Sequence, residues 1–164
     1  MLRMQTNKNT NRHVIGLISD THGLIRPQAL AALEGVDGII HAGDIGKPEV
    51  IVALKTIAPV AAVKGNIDSG VWATSLPNTK LVQVGGTRLF IIHNIKELDR
   101  DPVARGYQVV VSGHSHKPLV ASRDGVLFVN PGSAGPRRFK LPIAVGKLFI
   151  QNGQVNAEII DLAV

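Results

Sequence analysis

There is no cysteine among the 164 residues of this chain. Disulfides and thiolate metal sites are thereby excluded, and a bound metal would need His, Asp, Glu, Asn or backbone oxygen as ligands. Aromatic residues are also scarce, at 4% of the chain, and the basic residues are scattered rather than stacked in one run. Both facts argue against a base-stacking nucleic-acid platform. No uninterrupted apolar run is long enough to cross a bilayer. The stretch Met1 to His13 is polar, rich in Asn, Thr, Lys and Arg, and lacks the apolar middle of a secretory signal. It is expected to be a disordered tail (1–13) ahead of a single domain (14–164), in a cytoplasmic protein with no membrane partner.

What is present suits one globular domain with a substantial core: 45% hydrophobic residues in a chain of this length. The net charge of +6 fits either attraction to phosphate-bearing partners or a generic basic surface.

The apolar run from Val14 to Ser19 reads as a buried strand that ends at Asp20-Thr21-His22-Gly23. Pro27 opens a helix to Glu34, stopped by Gly35. Gly38 to His41 is a second strand, ending at Gly43-Asp44. Pro48 opens a second helix to about Thr56. Val60 to Val63 is a third strand, ending at Gly65-Asn66. This alternation indicates parallel βαβ units. Each strand delivers a candidate metal ligand just past its C-terminal end, the edge where sites form in open parallel sheets.

Beyond Asn66 the pattern changes to hairpins. Lys80 to Val84 pairs with Thr87 to Ile92 across Gly85-Gly86, and the second arm ends at His93. Gln108 to Ser112 is a short buried strand that ends at Gly113-His114-Ser115-His116. Pro118 to Ser122 pairs with Val126 to Asn130 across Asp124-Gly125, and Ile143 to Ile150 with Gln154 to Ile160 across Asn152-Gly153. The first half reads as parallel and helical, the second as mostly antiparallel. Two sheets packed face to face with helices outside satisfy both.

Asp20, His22, Asp44, Asn66, His93, His114 and His116 are the candidate ligands, carboxylate, amide and imidazole donors that suit divalent transition metals. Taken singly, each has a plainer reading: Gly-Asn is a common turn, and a lone His after Leu89 to Ile92 is more often a core residue. Their recurrence at five strand ends is what singles them out. His13 reads as solvated and His41 as structural. Asp68 either pairs with a histidine or caps a turn. Arg137 and Arg138 read as a solvated loop rather than an anion clamp.

Asp20-x-His22, Gly43-Asp44, Gly65-Asn66, His93 and Gly113-His114-x-His116 resemble, in order, the five motifs of the calcineurin-like metallophosphoesterases. Length and the Asn130-Pro131-Gly132-Ser133 turn resemble the small prokaryotic phosphodiesterase branch, to which the retromer scaffold subunit is distantly related. The resemblance spans about Val14 to Ile160. It implies a four-layer α/β/β/α sandwich of two mixed sheets flanked by helices. It implies two adjacent divalent metals, Mn foremost, with Ni, Zn, Fe or Co as alternatives. Asp20, His22 and His116 would hold one metal, Asn66, His93 and His114 the other, and Asp44 would bridge them. The implied reaction is hydrolysis of a small phosphate ester, an aryl or nucleotide-like phosphodiester, by a hydroxide bridging the metals, with Asn66, His93 and Asp44 as catalytic residues.

Two positions depart from the larger family members. Ile67 stands where they carry the histidine taken as general acid, and Asn94 stands where glycine usually follows the metal-binding histidine. Ile67 cannot donate a proton, and a side chain at Asn94 could narrow the site or turn His93. The alternative is a non-catalytic interaction scaffold on the same fold; a basic nucleic-acid-binding module is a third reading. Val71-Trp72 could serve a dimer contact or a lid, and a homo-dimer or tetramer stays open.

Overall fold

The computed structural model describes residues 1–4 and 12–164. Five strands form one sheet in the order β11-β10-β2-β3-β4: Gln154–Asp161, Ala144–Gln151, Arg12–Ile18, Gly38–His41 and Val60–Ala62. Within it β2, β3 and β4 are parallel, connected by helix α1 (Pro27–Ala32) and helix α2 (Pro48–Lys55), while β10 runs antiparallel to β2. Six strands form the other sheet in the order β1-β5-β6-β7-β9-β8: Leu2–Met4, Thr79–Val84, Thr87–Ile92, Val109–Val111, Val126–Asn130 and Leu119–Arg123.

Side-chain alternation along the strands explains why the sheets stack. Ile15 and Leu17 of β2, Ile40 of β3 and Leu148 of β10 turn inward to meet Val82, Leu89, Ile91, Val109 and Val111 of the other sheet in one buried cluster. Each large side chain buried in this way contributes roughly 1.5–3 kcal/mol. The opposite faces of β2 and β3 present Ile18 and Ile39 to Ala29, Leu33, Val50 and Leu54 of the two helices. Both helices start with proline at the first turn, and α2 places Glu49 in its first turn and Lys55 in its last, complementing the helix dipole.

The outer face of the six-stranded sheet is thinner. Phe90, Ile92, Val110 and Val126 are covered by Tyr107, which stacks on Phe90 with ring centres 4.8 Å apart. Among the described residues this fourth layer is a 3₁₀ turn, Ile95–Glu97, and irregular chain rather than an α-helix. The protein is thus a mixed α/β fold of two mixed sheets with few helices.

Two expectations need correcting. The polar tail was expected to be disordered, yet Leu2–Met4 forms a parallel edge strand on Val82–Val84, and Arg12 and His13 already belong to β2. Met4 is the physical reason: it is buried, with its sulfur against Gly38. The remainder of that segment, 5–11, lies outside the described residues. The division into a parallel first half and antiparallel second half also does not follow the sheets, because the C-terminal hairpin β10–β11 completes the N-terminal sheet. The hairpin turns themselves follow their residues, with both Asp124-Gly125 and Asn152-Gly153 at positive φ.

Candidate metal centre

Three strands of one sheet and two of the other end at the same edge, and the residues just past them converge. The loop after β2 lies along the loop after β3: Asp20 N–H donates to the Gly43 carbonyl at 3.0 Å and His22 N–H to the Asp44 carbonyl at 3.0 Å. The loop after β7 joins that after β6 through Gly113 N–H and the His93 carbonyl, 2.9 Å. Gly43 and Gly113 permit this closeness. At Gly43, φ is 102° and a methyl group would come within 2.6 Å of His93 Nδ1; at Gly113 one would strike Ser19 Oγ and lie 2.7 Å from Asp20 Oδ2.

Five of the seven candidate ligands hold left-handed backbone: Asp20 (φ 55°), His22 (48°), Asp44 (54°), His114 (69°) and His116 (62°). This region is sparsely populated by non-glycine residues and costs on the order of 1–3 kcal/mol at each. Its concentration here shows a chain bent sharply after β2, β3 and β7, three of the five strand ends that meet at the site.

Asp20 uses Oδ2 to accept from Ser19 Oγ at 2.6 Å and from His114 N–H at 3.0 Å. Its other oxygen, Oδ1, faces His116 Nε2 at 3.4 Å and His93 Nε2 at 4.0 Å. Asp44 is arranged alike: Oδ1 accepts from Ile67 N–H at 3.1 Å, and Oδ2 faces His93 Nε2 at 3.4 Å and His22 Nε2 at 3.6 Å. These carboxylate–imidazole approaches are too long for good hydrogen bonds. His93 Nδ1 lies 2.7 Å from the Ala42 carbonyl, which can only accept. Nδ1 therefore carries the proton, and the Nε2 lone pair points into the site.

Asp20 Oδ1, His22 Nε2, His93 Nε2 and both nitrogens of His116 are buried without a hydrogen-bond partner. Buried polar atoms are normally paired, and orphan oxygens and imidazole nitrogens that face one another are the donors a cation would satisfy. One donor atom from each of Asp20, His22 and His116, and from each of Asp20, Asp44 and His93, fall within 4.8 Å of one another. The donor set therefore fits divalent metal.

Electrostatics agree. Burial alone would raise the Asp44 carboxyl, but the His93 imidazole, the Ile67 N–H and the neighbouring His22 bring it down to about 2. Burial likewise opposes ionisation of Asp20, and His116, Ser19 and His93 hold it below the usual carboxylate range. Burial lowers His93, yet Asp44, the Ala42 carbonyl and Asp20 outweigh it and raise the imidazole.

The remaining two candidates sit nearer the surface. The His114 ring meets the His93 ring edge-on with centres 5.2 Å apart. Asn66 is exposed and, with His93, lines a cavity of about 310 Å³. His41 is fully buried and structural. Gly43 N–H donates to its Nδ1, and its Nε2 meets Thr21 Oγ1 at 3.0 Å, which in turn donates to the Ile45 carbonyl at 2.8 Å. Burial pushes the His41 imidazole down to about 4, so it is neutral. Of the two roles open to Asp68, capping prevails: its carboxylate accepts from the N–H groups of Ile45, Gly46 and Gly65 at 2.9–3.1 Å. Asn94 has ordinary φ and caps the turn at Lys96 N–H instead of entering the site. Arg137 is tied to the Leu141 and Val164 carbonyls.

From the sequence, Asn130 to Ser133 reads as a turn that supports the family resemblance, with no role at the site. Asn130 Nδ2 donates to the Gly113 carbonyl at 2.9 Å and Ser115 Oγ at 3.1 Å, while Ser133 Oγ donates to the Asp20 carbonyl at 3.1 Å. Both residues brace ligand loops from behind. Nothing in the local sequence discloses those targets.

A two-sheet α/β sandwich with His and Asp side chains gathered at its strand ends is the architecture of a metal-dependent hydrolase. Comparison with known proteins agrees: residues 14–153 match the family model described as the calcineurin-like phosphoesterase superfamily domain, and the chain belongs to that family. It is 33% identical over 159 residues to a "probable metallophosphoesterase" of Methanothermobacter thermautotrophicus, covering 90% of this chain and 91% of the relative. Among solved structures, an archaeal phosphodiesterase superposes with a TM-score of 0.75 at 24% identity, covering 90% of this chain and 99% of that one. Vacuolar protein sorting 29 of Cryptosporidium parvum superposes with a TM-score of 0.75 at 20% identity, covering 92% and 97%. At such identities these two structures establish the fold alone. Calcineurin-like phosphoesterases bind divalent metals, and the chain is accordingly a metal-binding hydrolase by family. Among the described residues no helix is long and apolar enough to cross a membrane.

Proposed function

We propose that the protein is a phosphodiesterase that works with two divalent cations, Mn foremost. The observation that carries this reading is the set of buried, partnerless donor atoms on Asp20, His22, His93 and His116 facing the free oxygens of two carboxylates. Asp20, His22 and His116 would hold one cation and Asn66, His93 and His114 the other, and Asp44 would serve both: its Oδ2 is within 3.6 Å of His22 and 3.4 Å of His93. Bound cations supply Lewis acidity toward phosphoryl oxygens and a nucleophile from water at neutral pH.

The chain's own contribution is orientation and charge. Ser19, the His114 N–H, the Ile67 N–H and the Ala42 carbonyl each occupy the outward atom of a ligand, leaving the inward atom free. The exposed Asn66 amide donates to a phosphoryl oxygen of the substrate. Ile67 offers no proton to the departing alcohol, so leaving groups that depart without protonation are favoured. The substrate is a small ester, aryl or nucleotide-like.

Metal analysis of purified protein and then turnover of bis(p-nitrophenyl) phosphate with added Mn²⁺ test this reading. It predicts bound metal and Mn²⁺-dependent hydrolysis, abolished by Asp44→Asn and by His116→Ala. Retention of full activity by either variant overturns the site. A second reading, a non-catalytic scaffold on the same fold, draws on the likeness to vacuolar protein sorting 29. It predicts no turnover across a panel of diesters, with or without Mn²⁺.

A further inference from the structure

Beside the candidate metal centre lies a second cavity, of about 740 Å³, lined by Ser115, Lys117, Arg138, Phe139, Lys140 and Leu141. Ser115 stands between His114 and His116 in the chain, so one wall of this cavity is the ligand loop itself. Three cations and no carboxylate line it. The cavity containing Asn66 differs: Lys64 and Arg100 there share the lining with Glu97 and Asp99. An anionic group is therefore favoured in this cavity over the one that contains Asn66.

Phe139 is the unusual member. It is 92% exposed, the largest exposure among the large apolar side chains, and its φ is 52°. Neither property helps the fold: exposure forgoes burial, and left-handed backbone is strained for a bulky residue. The conformation is nonetheless built. Leu141 N–H closes a tight turn onto the Arg138 carbonyl at 3.1 Å, with Phe139 and Lys140 at its tip, and Arg137 grips the Leu141 carbonyl from behind at 3.0 Å. Strain retained where nothing in the packing requires it points to use.

Resting on the phosphodiesterase reading, we propose that the Arg138–Leu141 turn, with Ser115 and Lys117, is a subsite for the part of the substrate beyond the scissile phosphate. It takes a planar aromatic ring joined to a further negatively charged group, as in a nucleoside that bears a second phosphate. The ring stacks on Phe139, and Lys117, Arg138 and Lys140 receive the extra charge. The ligand is a small molecule, and the subsite selects among esters that the metal centre would otherwise treat alike.

Three chromogenic diesters sharing the p-nitrophenolate leaving group test this: the methyl ester, the phenyl ester, and the 5′ ester of thymidine 3′-phosphate. The wild type is expected to prefer them in that rising order, with the difference in KM. Phe139→Ala and the double change Arg138→Gln with Lys140→Gln should each raise KM for the thymidine ester on the order of tenfold and leave the methyl ester unchanged. Equal effects on all three esters, or none, overturn the subsite. If no ester is hydrolysed, the phosphodiesterase reading fails by itself, and calorimetric titration with thymidine 3′,5′-bisphosphate decides the subsite: binding lost in Phe139→Ala supports it, and binding absent or unchanged overturns it. Phe139→Gly separates use from structure. Relief of strain should raise the melting temperature while the thymidine preference is lost; a lower melting temperature would make Phe139 a structural residue and overturn the proposal.

Discussion

Asp44 Oδ2 lies 3.4 Å from His93 Nε2, while the other oxygen of the same carboxylate is held by the Ile67 N–H at 3.1 Å. Asp44 thus has one oxygen committed to the scaffold and one presented to the site. Changing Asp44 to Asn keeps the scaffold contact and removes the charge. The variant is expected to fold, to lose bound metal, and to lose activity by a factor of at least about 10²–10³. Adding Mn²⁺ to chelated wild-type protein should raise the melting temperature, by about 2.7 kcal/mol of stability at a hundred times Kd, and should do little for the variant. Differential scanning calorimetry with and without metal checks both.

His41 predicts an acid limb in stability. Its pKa falls from 6.5 to about 4 on folding because burial disfavours the imidazolium. The unfolded chain binds the proton more readily, so stability is full above pH 6.5 and is lost as pH falls toward 4. The span corresponds to roughly 3 kcal/mol. Chemical denaturation of metal-free wild type and His41→Gln across this range should show the limb in the first and its loss in the second; parallel curves would show that His41 does not titrate on unfolding.

Asn130 touches no candidate metal donor yet ties the Gly113 carbonyl to Ser115 Oγ. Asn130→Ala should therefore lower metal affinity or activity about 10–100-fold, the usual range for residues that orient ligands. Isothermal titration with Mn²⁺ would register it. Unaltered affinity together with unaltered turnover would make the brace dispensable.

At Ile67, 46% exposed beside Asp44, no proton donor is available to a leaving alkoxide. Wild-type protein should hydrolyse p-nitrophenyl esters far faster than dialkyl phosphates. Ile67→His keeps the backbone N–H that supports Asp44 and adds an imidazole. It should speed alkyl esters, by up to about 10²–10⁴-fold if well placed, with little change for aryl ones. A uniform change across both leaving groups would remove protonation as the cause.

Most of the fold arises from short-range signals. Gly38 to His41, Thr87 to Ile92 and Val126 to Asn130 are strands where the apolar alternation and flanking turn residues place them. The candidate donors were legible for a related reason: each lies just past a strand, and the C-terminal edge of a parallel sheet brings such residues together. Long-range partners were not legible. Leu2–Met4 looks like polar tail until Val82–Val84 offers an open edge and Gly38 a space for the Met4 sulfur. Asp68, which accepts from Ile45 and Gly46, and Arg137, which reaches the Val164 carbonyl, act on backbone groups whose positions depend on how loops cross.

The sequence by itself determined the elements, the donor types and their order along the chain, because periodicity, turn chemistry and residue identity are local properties. Only the tertiary structure decided that the C-terminal hairpin completes the N-terminal sheet, that His41 is a neutral buried strut, and that Phe139 stands exposed beside the ligand loop. Those depend on sheet order and loop packing, where residues 20 and 116 become neighbours at 3.4 Å through contacts that neither residue's own surroundings encode.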